Sequence, residues 1–444
     1  MYIKKIKIKN IRSIIDFEMN FTNQPGWHVL IGDNGAGKST IIRSISLALI
    51  GNLQAQGLTP NWDDWLNKKS DNGDIYLELM MDAKLDSYNK DYKKVQFDNN
   101  KSLFMNTSLK RKKNKEFDVQ DYLSRNGKLW FSTGETEDWE GAFSVAYGPY
   151  RRFEGGSPEF SRTFDNPFYK DLVGHITAFS ESVALSGTVE WLKELKFKSL
   201  EKNNESSTTL ESLKELINSK DFLPHNASLE DVSSEGVFFK DGNGITISVN
   251  QMSDGYRSIL SLTFDLIRHL VRVYGSKPVF KDIYKDEPFI DLPGVVLIDE
   301  VDAHLHPTWQ TRIGQWFTKY FPKLQFIVTT HSPLVCRASK ESSIWRLAAP
   351  NSEMPSGEIT GVDKDRLIFG NILDAYGTDV FGSGITISKD ASDKLNQMAS
   401  LNIKSLLGKI SSSESEKLDD LKAVFPTEKL NIDVEKLNIK KSDD

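Results

Sequence analysis

Gly32-Asp33-Asn34-Gly35-Ala36-Gly37-Lys38-Ser39 is a full match to the phosphate-binding pattern G-x-x-x-x-G-K-[ST]. The apolar run Trp27-His28-Val29-Leu30-Ile31 precedes it, and Thr40-Ile41-Ile42-Arg43-Ser44-Ile45-Ser46-Leu47-Ala48-Leu49-Ile50 follows. That reads as a buried strand, a glycine-rich turn and a helix, the setting the motif requires. The glycines let the backbone fold tightly, so that its N–H groups point inward at phosphate oxygens. The helix N-terminus adds roughly half a positive charge at the same place. Lys38 is placed to reach the β- and γ-phosphates, and the Ser39 hydroxyl to ligate Mg²⁺. Gly32, Asn34, Gly35, Gly37, Lys38, Ser39 and Thr40 are the nucleotide contacts expected here. A glycine turn with only a structural purpose would leave Lys38 without a reason.

With 444 residues the chain has room for two or three domains, or for one large domain carrying an insertion. Hydrophobic content of 39% and charged content of 27% describe a globular protein, not a disordered one. A net charge of −6 argues against a broadly basic surface but leaves room for a local basic groove. The one cysteine, Cys336, rules out an internal disulfide framework and fits a reducing compartment. There is no apolar run of about 18 residues or more, and the start lacks a basic leader with an apolar core. A cytoplasmic protein with no membrane contact is expected.

Outward from the loop, strict alternation in Lys5-Ile6-Lys7-Ile8-Lys9 and at Ile15, Phe17, Met19 and Phe21 predicts two half-buried antiparallel strands. A further strand is expected at 74–80, with strand pieces at 95–97 and 129–131. The basic run Lys110-Arg111-Lys112-Lys113-Asn114-Lys115 reads first as a solvated hairpin tip and second as a contact for DNA or RNA. Ala142 to Tyr147 is a short apolar strand ending in Gly148-Pro149-Tyr150-Arg151-Arg152, and two arginines there are hard to explain as core. From 167 to 223 the spacing turns helical, with Asn203 to Thr209 as a polar linker between two helices. Four segments result: a first lobe (1–155), a helical insertion (156–235), a second lobe (236–350) and a helical extension with a charged tail (351–444). The extension is a possible partner-binding region, and part of the tail from Ser411 is expected to be loosely ordered.

The second lobe supplies the remaining chemistry. Val295-Val296-Leu297-Ile298 is a fully apolar strand ended by Asp299 and Glu300. Two carboxylates at the edge of a core are costly to hold without a cation. Phosphoryl transfer needs a phosphate cradle, a held metal and a group that orients the attacking water. Asp299 is placed to hold Mg²⁺, Glu300 to polarise the water, and His331, after the strand 325–330, to sense the γ-phosphate. Ser253-Asp254-Gly255 at a helix start offers N–H groups and a hydroxyl to an anion.

Together these motifs resemble the ABC-type ATPase head, in its SMC, RecF and OLD branch. Asn10-Ile11-Arg12-Ser13 is similar to that branch's opening, which implies a nucleotide-binding role for Arg12. Asp299 to Pro307, with His304-Leu305-His306-Pro307, is similar to the form found in prokaryotic defence ATPases. The resemblance implies an α/β fold, a mixed sheet core plus an antiparallel β subdomain with a short helical insertion. It implies ATP and Mg²⁺ as ligands, and contact of Ser253 and Gly255 with the γ-phosphate bound to a second subunit. One phosphate loop and one signature per chain then require a homodimer or a higher even oligomer. His306 stands near the usual D-loop aspartate, and no glutamine matches the Q-loop, whose region Tyr147 to Arg151 occupies.

Within the branch, the segment between Ser39 and Met252 lacks the sustained heptads of a long-armed SMC. Several of residues 332–444 must finish the head and no Asp-x-Asp pair is expected among them, so an intrinsic Toprim nuclease of the OLD kind is not expected. Seven histidines without a His-Asn-His cluster, and one cysteine, leave no second active site. The chain is similar to the Septu (PtuA-type) ATPase subunit of two-component phage defence, including Tyr147 to Arg152, Asp365 to Asn371 and Asp374 to Gly377. That resemblance implies an ATP-controlled sensor and scaffold for a separate HNH-type nuclease, in some systems within a retron. The alternative is a RecF-like repair ATPase that binds DNA ends or gaps through the 110–115 run, Arg151 and Arg152.

Overall fold

A computed structural model describes residues 1–55, 58, 62–90, 93–97, 102–112, 117–125, 128–131, 139–151, 170–180, 187–223, 226–348, 355–370, 389–406 and 410–424. The strands in chain order are β1 (Tyr2–Ile11), β2 (Ile14–Asn20), β3 (Gly26–Gly32), β4 (Asn72–Met80), β5 (Ser87–Lys90) and β6 (Lys93–Gln96). There follow β7 (Ser102–Arg111), β8 (Phe117–Arg125), β9 (Lys128–Phe131), β10 (Trp139–Glu140), β11 (Ser144–Tyr147) and β12 (Ser228–Ser233). Then come β13 (Gly236–Lys240), β14 (Thr246–Ser248), β15 (Gly294–Ile298), β16 (Leu324–Thr330), β17 (Ile344–Leu347) and β18 (Gly357–Glu358).

Two six-stranded sheets carry the architecture. One has the order β11-β15-β16-β3-β17-β18 and is parallel except for its last pair. Its inner strands are apolar throughout because both faces are covered: every residue of β15 and β16 is buried. The other is antiparallel, in the order β2-β1-β4-β7-β8-β9. There the burial alternates along β1 and β4, as a sheet packed on one face requires. Ile15 breaks the alternation and is exposed, while its neighbour Ile14 is buried.

Helix α1 (Lys38–Ile50) lies between the two sheets, touching β1, β4 and β7 on one side and β3, β11, β15 and β16 on the other. That placement explains a helix apolar on nearly every face. Ile41, Ile42 and Ile45 are wholly buried with Leu77 and Ile75 of one sheet and Leu297 and Ile327 of the other. Each such side chain contributes about 1.5–3 kcal/mol. The strand, the loop and the helix quoted above therefore form the centre of the core. This is the α/β arrangement expected, mixed sheet plus antiparallel sheet.

The insertion holds helices α2 (Gly187–Leu200) and α3 (Asn204–Ile217). The predicted linker at 203–209 is instead the first two turns of α3. Asn203 caps it by accepting from the Ser206 N–H at 3.0 Å, while Leu210, Leu213, Leu216 and Ile217 bury its far half. Next comes the sheet β12-β13-β14, and then α4 (Asp254–Tyr274), whose inner face is buried from Ser258 to Leu270. Helix α5 (Ile313–Tyr320) stacks Phe317 on Trp27 of β3. Beyond β18 stands α6 (Gly361–Phe369).

The chain divides into two compact units, Met1–Val380 and Phe381–Asp444. The second contains α7 (Lys389–Leu406) and α8 (Ser412–Val424), joined through Met398, Leu401, Leu418 and Leu421. Part of the tail expected to be loosely ordered is thus a helix. Its start is a capping box: Glu414 N–H donates to Ser411 Oγ at 3.3 Å, and Ser411 N–H to Glu414 Oε2 at 3.0 Å. Residues 425–444 lie outside the described residues. No helix among those described is long and apolar enough to cross a membrane.

Candidate active site at the ends of the parallel strands

Strand register decides which sequence-distant residues meet. Ile298 of β15 pairs with Val328 of β16, and Thr330 of β16 with Ile31 of β3. One step further along, Asp299 stands beside Thr329, and His331 directly follows the end of β16. The phosphate loop, the two acids and the histidine thus share the carboxyl edge of one sheet, where ligands of open α/β sheets bind.

The loop is shaped by its glycines. Gly37 has φ +98°, and a Cβ there would also stand 3.3 Å from Ile14 Cγ1 and 3.4 Å from Ser13 Oγ. A Cβ on Gly32 would lie 2.8 Å from the carbonyl oxygen of Leu347. Asn34 and Gly35 at the loop crest are exposed, Thr40 is buried, and Ser39 is half-buried in the first turn of α1. Lys38 is buried and turns back on its own loop, donating to the carbonyls of Gly32 at 2.7 Å and Asp33 at 3.0 Å. Burial lowers its pKa, against the opposing pull of Asp299, Glu300, Asp302 and Asp33.

On the acidic side, Asp299 is 2% exposed and its Oδ1 accepts from Thr329 Oγ1 at 2.6 Å. The same hydroxyl accepts the Glu300 N–H at 2.7 Å. Thr330 Oγ1 donates to Asp302 Oδ1 at 2.6 Å. Glu300 has φ +47° and His304 φ +65°, both in the left-handed region. Asp299 with the Ser39 hydroxyl supplies hard oxygen donors, the chemistry Mg²⁺ takes. Among the described residues no group of three or more His, Cys, Asp or Glu side chains could hold a metal unaided. The donor set therefore fits an ion that keeps waters and takes substrate phosphate oxygens.

Ser253 is exposed at the N-cap of α4 with no side-chain cap bond, and a Cβ on Gly255 would meet the His304 carbonyl at 3.1 Å. Both line a groove of about 900 Å³ with Tyr256, His304, His306 and Arg312, and no phosphate-loop residue lines it. The groove thus gathers the signature residues with His304 and His306, which follow the two acids in the chain. His306 has a local role that its place in the motif left open: Nδ1 accepts the Thr308 N–H at 3.3 Å, capping a short helix. Arg12, with φ +50°, lies in the β1–β2 turn whose neighbours Ser13 and Ile14 abut Gly37. Its guanidinium stacks 4.3 Å over Trp65, and burial followed by Arg43 lowers its pKa.

Two expectations change. Arg151 is buried and bonded to backbone carbonyls, including those of Asp299 and Glu300 at 2.9 Å each, so it offers nothing to DNA. Arg152 lies outside the described residues. In addition, one Asp-x-Asp pattern does follow His331: Asp363-Lys364-Asp365 opens α6, where Asp363 pairs on the surface with Arg366 at 3.4 Å. Sequence reasoning missed Thr329, Thr330 and the task of Arg151, since all three act through strand register and backbone geometry.

The family described as "AAA domain, putative AbiEii toxin, Type IV TA system" matches residues 28–337, which take in the loop, Ser253, Asp299 and His331. The chain is 28% identical over 342 residues to "Septu protein PtuA" of Bacillus mycoides (strain KBAB4), across 76% of this chain and 39% of that protein. It is 34% identical over 187 residues to "Retron Ec83 probable ATPase" of Escherichia coli, across 42% of this chain and 32% of that protein. The chain thus spans about two fifths and one third of those relatives' lengths. Among solved structures, an Smc head domain with an extended coiled coil, bound to the C-terminal domain of ScpA and derived from Pyrococcus furiosus, is similar over 81% of this chain and 96% of that chain. Its identity is 15% and its TM-score 0.45. Since the family match takes in most of its length, with Gly32, Asp299 and His331 inside it, this chain belongs to the AAA domain family described as putative AbiEii toxin, type IV TA system.

Proposed function

We propose that this chain binds and hydrolyses ATP at a site shared between two copies of itself, and that turnover governs a separate nuclease. The observation that carries the reading is the convergence of Lys38, Asp299, Glu300 and His331 on one sheet edge, with Ser253 and Gly255 in a groove that no loop residue lines. Lys38 exchanges the carbonyls of Gly32 and Asp33 for β- and γ-phosphate oxygens, and the N–H groups of the loop and of α1 take the rest. Mg²⁺, held by Ser39 and Asp299, offsets phosphate charge when bound. Thr329 fixes the rotamer of Asp299 and the backbone of Glu300 together, leaving the Glu300 carboxylate to take a proton from the attacking water. His331 reports on the γ-phosphate, Arg12 flanks the loop, and Ser253 and Gly255 close the site from the second copy.

The biological half of the reading is an anti-phage sensor and scaffold whose nuclease, of HNH type, is another chain, with a retron as one setting; the names "Septu protein PtuA" and "Retron Ec83 probable ATPase" support its Septu and retron parts alone. Glu300→Gln is expected to bind ATP, lower kcat by about 100-fold or more and hold the dimer closed. Lys38→Ala should lose nucleotide binding. A Glu300→Gln protein that turns over ATP like the parent would end the reading. A RecF-like role keeps one supporting observation, exposed Lys110 and Lys112 at the end of the β7–β8 hairpin. ATP-dependent, salt-sensitive DNA binding by the dimer alone would favour it.

A further inference from the structure

Arg151 is the side chain that the proposed reaction leaves over. It is 5% exposed, and every one of its five N–H donors is engaged. One terminal nitrogen donates to the carbonyls of Gly148 and Asp299, both at 2.9 Å. The other donates to Glu300 at 2.9 Å and, more weakly, to Val301 at 3.5 Å, while Nε reaches Ser258 Oγ of α4 at 3.3 Å. Burial brings its pKa down to about 10, with Asp299, Asp302 and Glu300 pulling the other way, so the cation persists. Burying a guanidinium costs several kcal/mol before its bonds are counted. A fold that needed only a filled space there would do better with an apolar side chain.

What the bonds have in common is the Glu300 turn. Three of the acceptors are the consecutive carbonyls of Asp299, Glu300 and Val301, and the residue in their middle has φ +47°. A left-handed non-glycine residue costs about 1–3 kcal/mol and persists only where its surroundings over-determine it. We infer that Arg151 is a positioning residue for Glu300: its planar fork holds the left-handed turn and moors it to Ser258 of α4, the helix that carries Ser253 and Gly255 at its start. Lysine cannot substitute, since a point charge does not span three carbonyls in a plane. The inference rests on the reading of Glu300 given above.

The test uses the full chain as Arg151→Lys, Arg151→Met, Ser258→Ala and Glu300→Gln, with Arg151→Met and Glu300→Gln also combined. Binding of a fluorescent ATP analogue and steady-state hydrolysis are measured on each. Arg151→Met and Arg151→Lys should bind the analogue like the parent while kcat falls about 100-fold, the cost of a catalytic group misplaced by an ångström or so. Ser258→Ala should lower kcat several-fold at unchanged KM. The combined variant should be no slower than Glu300→Gln alone, because the two residues act on one step. Losses that multiply in the combined variant would overturn the inference, as would full kcat in Arg151→Lys. If Arg151→Met does not fold, Arg151→Lys and Ser258→Ala decide alone, and parental kcat in either would overturn it. Parental turnover in Glu300→Gln is a separate outcome, which removes the reading of Glu300 itself.

Discussion

Thr329 joins two acids through one hydroxyl, donating to Asp299 and accepting from the Glu300 backbone. Thr329→Val keeps the shape and strands both partners in a buried setting, so stability should fall by about 1–3 kcal/mol and turnover should fall with it. Denaturant unfolding and a hydrolysis assay check this, and Thr329→Ser should restore both. At this scale the sequence is uneven. Lys38, Ser39, Asp299 and Glu300 are readable because each belongs to a short pattern whose chemistry is local. Thr329 reads only as a β-former, and Arg151 as a cation without a partner. The partners of Thr329 lie 29 and 30 residues away, and the three turn carbonyls of Arg151 lie 148 to 150 away, brought near by the parallel register.

Helix α3 shows why an element can be misread. Ser206, Ser207, Thr208 and Thr209 favour caps and turns over helix interiors, so the stretch reads as linker. Here Asn203 supplies the cap, and Thr209 Oγ1 returns to the Glu205 carbonyl at 2.7 Å while packing inward. Asn203→Ala should cost about 1 kcal/mol in thermal unfolding; no change would revive the linker. The Ser411–Glu414 box of α8, by contrast, was written in the sequence as Ser-x-x-Glu and was hidden by the charge around it. Gly314 in α5 tests packing against propensity. Glycine to alanine in a helix ordinarily gains up to about 1 kcal/mol. At Gly314 the added Cβ would lie 2.5 Å from Ala338 Cβ and 2.8 Å from the Trp27 ring. Overpacking of that kind costs about 1–3 kcal/mol, so Gly314→Ala should destabilise, and a raised melting temperature would contradict the packing of α5 on β3.

Across the whole molecule, two buried histidines tie stability to pH. His175 bridges Ser46 of α1 at 2.6 Å and Ser144 of β11 at 3.1 Å, and burial then the charge of His269 lower its pKa to about 3. His28 in β3 meets Ser343 Oγ at 2.9 Å and the Gln24 carbonyl at 3.0 Å, and burial lowers its pKa to about 4. Both folded values lie below the unfolded value of about 6.5, so acid protonates the unfolded chain first. Their stabilisation is complete above pH 6.5 and is lost as pH falls, by about 1.4 kcal/mol per pH unit for each histidine. Chemical unfolding at pH 7 and pH 5 should show the loss, and equal stabilities would contradict neutral, buried rings.

The two-copy site pairs the phosphate loop of one chain with Ser253 and Gly255 of another, which line a groove without loop residues. Its most direct measurement is ATP hydrolysis by Lys38→Ala and Ser253→Arg chains, assayed singly and co-expressed. Each alone should be inactive, one lacking phosphate binding and the other presenting a blocked signature to its partner. Random pairing makes half the dimers mixed, each with one intact site of two, so about a quarter of parental activity should return. A co-expressed pair that stays inactive, or Ser253→Arg chains that hydrolyse ATP like the parent, would contradict a site built from two copies.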